Sequence, residues 1–146
     1  MRLLPLILLA GCAAPAALPP VTIPVRNPTA PIASQVDADL SRLSGDWVVV
    51  QGAGIRPGTR LRFGPDRVAI DGAVLSVAQT TAGRLTIGGE PVWVHWIDAD
   101  NRTAALGNPD GTRVWIMDRA GKPGERLRAA REILTWYGYD LSRVAG

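Results

Sequence analysis

The stretch VWVHWIDADNRTAALGNPDGTRVWIMD, residues 92–118, decides the architecture. It holds three short runs rich in Val, Ile, Trp and Thr, at Val92–Asp98, Arg102–Leu106 and Arg113–Asp118, each of strand length. The connectors Ala99-Asp100-Asn101 and Asn108-Pro109-Asp110-Gly111 carry the residues that favour tight turns. Turns this short force neighbouring strands to run antiparallel. On the first run both alternating sets are apolar, with Trp93, His95 and Ile97 against Val92, Val94 and Trp96. That strand is expected to be covered on both faces, and alternation alone does not say which set points inward.

The same pattern extends toward the N-terminus. Strands are expected at Trp47–Gln51, Thr59–Phe63, Arg67–Asp71, Val74–Thr80 and Arg84–Ile87, separated by turn-forming segments such as Ile55-Arg56-Pro57-Gly58, Gly64-Pro65-Asp66, Asp71-Gly72 and Gly88-Gly89-Glu90. Leu61 and Phe63 alternate with Arg60 and Arg62, and Trp47 and Val49 share a face, so each strand has an inward side. Beyond Arg119 the period changes: Leu127, Ala130, Ile133, Leu134 and Tyr137 recur at spacings of three and four between Pro123 and Gly138, which predicts one amphipathic helix. The class is therefore mainly β. A small eight-stranded antiparallel up-and-down barrel with one C-terminal α-helix is expected, because closure removes the two edges that an open sheet exposes. A two-sheet sandwich is the alternative.

Residues 1–11 read as a signal peptide, with Met1 and Arg2 ahead of the apolar run LLPLILLA, which is too short to span a bilayer. Residues 12–35 are rich in Pro and Ala and have no strand or helix period. They are expected to be an extended tether, with residues 36–146 as the folded domain. About 110 residues suffice for one core and not for two. The chain has 16 Lys and Arg, of which Arg2 lies in the leader, against 13 Asp and Glu, and its arginines are scattered. Nucleic acid is not an expected partner.

Leu9-Ala10-Gly11-Cys12 resembles the lipobox of bacterial lipoproteins, which implies acylation of Cys12 and attachment to a membrane through that lipid. Cys12 is the one cysteine, so no internal disulfide can form. By the rule of that family, Ala13 after the cysteine implies the outer membrane, with the domain facing the periplasm.

Further residues resemble the bacterial outer-membrane lipocalins. Gly45-Asp46-Trp47 is similar to the Gly-x-Trp signature of their first strand, and Trp93 to Gly107 to their sixth and seventh strands with an Asp-rich turn. Val114 to Arg119 is similar to their last strand, and Ala130 to Arg143 to their C-terminal helix and tail. The resemblance implies that Gly45, Trp47 and Arg119 close one end of the barrel, with Arg119 packed over Trp47, and that the ligand is a small hydrophobic molecule, a fatty acid or lysophospholipid. Phe63, Trp93, His95 and Trp115 are the expected lining residues. The chain is shorter between Trp47 and Asp98 than those lipocalins, which leaves the lumen small or filled.

No catalytic constellation is visible. His95 is the one histidine, Cys12 is the one cysteine, and no Gly-x-Ser-x-Gly elbow is present to activate a serine. Asp98 and Asp100 read as turn-capping residues rather than a catalytic pair. No enzyme activity, metal or cofactor is expected. Two other functions fit the pattern: a protease-inhibitor-like barrel that inserts its N-terminal segment, and a ligand-free structural module of the envelope.

Overall fold

The computed structural model describes residues 19–146. Cys12, the leader and the first part of the expected tether lie outside the described residues. Eight strands follow in chain order: β1 (Gly45–Ala53), β2 (Arg60–Phe63), β3 (Arg67–Ile70), β4 (Ala73–Thr81), β5 (Arg84–Ile87), β6 (Glu90–Ile97), β7 (Thr103–Gly107) and β8 (Val114–Asp118). Each pairs antiparallel with its sequence neighbours, and β1 pairs with β8, so the sheet closes into a barrel and the sandwich alternative is excluded. The observed strands match the expected runs with end shifts of one or two residues, the scale on which strand ends fray. The β3–β4 turn shows how local chemistry sets register. Asp71 and Gly72 both take positive φ, 47° and 86°, the pair of angles that a two-residue turn of the twist-matched type requires.

Inward and outward sets separate into two apolar clusters. Trp47, Val49, Leu61, Phe63, Val68, Leu85, Val94, Leu106, Trp115 and Met117 fill the interior, while Ala105, Val114, Ile116, Ala130, Leu134 and Tyr139 pack outside it. The outer cluster forms because α1 (Arg126–Trp136) lies across β6, β7 and β8 and buries Ala130 and Leu134 against them. Every residue of β7 and β8 is buried as a result. No helix among the described residues is long and apolar enough to cross a membrane.

The segment expected to be a tether departs from that reading over its described part. From Pro19 to Gln35 the chain is irregular, with a turn at 28–29, and mostly lacks ladder pairing, as its prolines dictate, but it wraps the barrel instead of leading away from it. Val21 N–H donates to the Thr112 carbonyl, Val25 N–H to Gly111, Asn27 N–H to Gly138 and Gln35 N–H to Val94. Val25 is fully buried, and the Arg26 guanidinium donates to the carbonyls of Tyr137 and Ala30 at 2.8 and 2.6 Å. Single backbone donors, the buried Val25 and the Arg26 guanidinium dock this strap where a periodic pattern was absent.

Candidate functional site

The two ends of the barrel differ. At one end the short turn of 3-10 helix at Leu40–Leu43 leads into β1, and Trp47 fills the interior. The Trp47 indole N–H donates to the Leu43 carbonyl at 2.7 Å, and the Arg119 guanidinium lies 3.7 Å from the ring centroid. Arg119 also donates to the carbonyls of Asn101, Ser44 and Arg42 at 2.9, 2.7 and 3.0 Å, so its guanidinium is held by backbone carbonyls of the surrounding turns. Gly45 takes a φ of 97°, and a Cβ there would stand 3.3 Å from the Arg119 Nη1 atom. The structure thus brings Gly45, Trp47 and Arg119 into one contact set. Every side-chain polar atom in the set has a partner.

Next to this end, burial pushes the Asp118 carboxyl up, but hydrogen bonds from Thr103 Oγ1 and from the N–H groups of Lys122 and Ala120, with the Arg126 guanidinium, outweigh it and hold the carboxyl below its ordinary range. Asp98 caps the β6–β7 turn by accepting from Arg102 N–H and Thr103 N–H, each at 2.7 Å.

At the other end the interior is not filled. A cavity of about 140 Å³ opens there, lined by Ile55, Ile70, Leu75, Ile87, Val92 and Trp115, with Asn108, Glu90 and Arg113 among its polar residues. For scale, an engineered apolar cavity of about 150 Å³ admits benzene. Arg113 Nη1 and Glu90 Oε2 form an ion pair at 2.8 Å, so the mouth presents a paired charge. Two buried polar atoms on the wall find no protein partner: the Oδ1 of Asn108 and the Nε1 of Trp115. Their residues are 3% and 4% exposed. Leu106 faces Trp115 across the β7–β8 ladder, and the Asn108 N–H donates to the Arg113 carbonyl, so Asn108 and Trp115 are diagonal neighbours on the inner face.

Of the four expected lining residues, only Trp115 lines this cavity. Phe63 points inward but pairs with Val68 and Gly45, in the filled half. Trp93 and His95 are corrected: both stand on the outer face. A bulge between Val94 and Trp96 inserts one unpaired residue, His95, so that Val92, Val94 and Ile97 point inward. Trp93 carries the Arg84 guanidinium on its ring at 3.8 Å.

His95 ties the strap and the tail to the barrel. A carbonyl has no proton to give, so Nδ1–H must donate to the Ala33 carbonyl, at 2.7 Å. Nε2 is left to accept from the Tyr139 hydroxyl at 2.9 Å, and that hydroxyl also lies 3.2 Å from the Asn108 carbonyl oxygen. Burial lowers the imidazole pKa to about 4, with the Arg26 charge acting in the same sense against the Ala33 hydrogen bond.

Asn108, Ile55, Ile70, Leu75, Ile87 and Val92 were not singled out from sequence. Asn108 sits in an Asn-Pro-Asp-Gly run that reads as a turn, and the aliphatic residues read as ordinary inward positions. Among the described residues, no three His, Cys, Asp or Glu side chains gather to hold a metal.

No family model matches the chain, and no curated protein matches its sequence. Among solved structures it is similar to the major allergen Per a 4 from cockroaches, at 11% sequence identity and a TM-score of 0.56, over 81% of this chain and 93% of that one. The fold is a lipocalin-like barrel. That likeness carries the strand order and the terminal helix. Within this lipocalin-like barrel, the cavity at the unfilled end meets polar groups at its mouth, and a small hydrophobic molecule is compatible with it.

Proposed function

We propose that this chain is a non-enzymatic envelope lipoprotein, anchored to the outer membrane through Cys12, whose barrel binds a small hydrophobic molecule in the cavity at the open end. The observation that carries the binding reading is the cavity itself, since an aliphatic wall beside two unpartnered polar atoms is the composition of a ligand site. Each apolar Å² removed from water there contributes about 25 cal/mol. The anchoring reading rests on the lipobox-like run alone. The protease-inhibitor alternative is disfavoured because the strap from Pro19 to Gln35 is docked on its own barrel and is not free to insert elsewhere.

The volume sharpens the fatty acid or lysophospholipid expectation. A space of about 140 Å³ takes one ring or a short alkyl end and not a long acyl chain. Titration of the protein with toluene, and with fatty acids and lysophospholipids of graded chain length, followed by intrinsic tryptophan fluorescence, tests this. Saturable binding of toluene, with affinity that stops rising after the first few carbons of a chain, is expected. Flat traces across the whole set would remove the ligand reading and leave the structural-module alternative.

A further inference from the structure

We propose that the ligand of the open end carries a neutral hydroxyl group, and that Asn108 and Trp115 select it over an alkyl or a carboxylate group of the same size. The inference rests on the binding reading above and specifies its ligand class.

The argument starts from two unmet needs on one wall. Asn108 Oδ1 lacks a donor and Trp115 Nε1–H lacks an acceptor, both are buried, and they are diagonal neighbours, Asn108 just past the end of β7 and Trp115 on β8. A buried polar atom without a partner is destabilising, so a ligand that supplies partners gains what the free protein lacks. A hydroxyl is the smallest group that donates and accepts at once. It gives its proton to Oδ1 and takes the indole N–H on a lone pair. This match survives rotation of the Asn108 amide, because a hydroxyl accepts from an amide N–H₂ as readily as it donates to an amide oxygen.

Other head groups fit less well. A methyl leaves both atoms unmet. A carboxylate can accept from Trp115 but turns lone pairs toward Oδ1, and it brings an ionic charge into an aliphatic pocket. The rim offers that charge little, because the Arg113 guanidinium is paired with Glu90 at 2.8 Å. The rest of the wall, Ile55, Ile70, Leu75, Ile87 and Val92, asks only for apolar bulk of about one ring.

Phenol, toluene and benzoate separate these cases, since they share one ring and differ in the group under test. Binding is measured by calorimetry and by the indole N–H resonance of Trp115, assigned with Trp115→Phe. Phenol is expected to bind at least about tenfold more tightly than toluene and benzoate, and to move that resonance downfield. In Asn108→Leu the phenol-to-toluene ratio should fall to near one, with toluene binding retained as evidence that the variant is folded. Toluene binding as tightly as phenol in the unaltered protein would overturn the hydroxyl inference while leaving the cavity reading intact, and would mean that water already serves both atoms. Tighter benzoate than phenol would overturn it in favour of an anion site. Failure of all three to bind would overturn the binding reading itself.

Discussion

Two tryptophans face the interior of this barrel, one near each end, and they are treated in opposite ways. Trp47 has its N–H bonded to the Leu43 carbonyl and its ring covered by Arg119, whose guanidinium nitrogens all have carbonyl partners. Trp115 is also buried and lines the cavity, but its N–H finds no partner. Folding alone explains the first arrangement. The second is a local cost that a bound molecule can offset, so the contrast sets a filled, satisfied end against the end proposed to bind.

Removing the plug should give the largest effect. Trp47→Ala is expected to lower unfolding free energy by about 3–5 kcal/mol in denaturant titration, because it deletes a large buried aromatic together with a cation–π contact. A loss below about 1 kcal/mol would break the comparison at its stable end.

The second effect is in pH. His95 titrates at an ordinary 6.5 when unfolded and at about 4 when folded. Between those values the unfolded chain binds the extra proton, so stability falls as pH drops from 6.5 toward 4 and levels off below it, by up to about 3 kcal/mol. Above 6.5 both states are neutral at this site and the contribution is complete. The decline should flatten in His95→Gln, read from unfolding curves at a series of pH values. An equal slope in both proteins would remove His95 as its source.

The smallest effect is the most discriminating. Trp→Phe at position 47 removes a satisfied N–H and strands the Leu43 carbonyl, whereas at position 115 it removes an unmet one. The first substitution is expected to cost at least about 1 kcal/mol more than the second. Equal costs would mean that Trp115 is not unsatisfied in the free protein.

Much of the architecture was legible in the chain because it is written in local chemistry. The period-two runs, the Asp71-Gly72 turn and the three-four spacing from Leu127 to Tyr137 each act over a few residues, and they specify strands, register and helix without tertiary information. The doubly apolar β6 also signalled a covered outer face. Two features escaped that kind of reading. The bulge at His95 has no local signature, and alternation left the inward set of β6 open; the lining that the resemblance implied for His95 and Trp93 fails because both stand on the outer face. The strap lacks any period, and its docking depends on single contacts such as Val25 and the Arg26 guanidinium, which no repeat can announce. At the candidate site, Trp115 was legible as an aromatic on an inward strand. Asn108 was not, because its turn-forming role conceals that its side chain faces the cavity.

The division between a filled and an open end is tested most directly by mapping toluene onto the protein with methyl and indole NMR. The account predicts shifts confined to Ile55, Ile70, Leu75, Ile87, Val92 and Trp115, with Leu43, Leu61 and Trp47 unmoved. Shifts centred on Trp47 and its neighbours, or on the outer surface around α1, would contradict it.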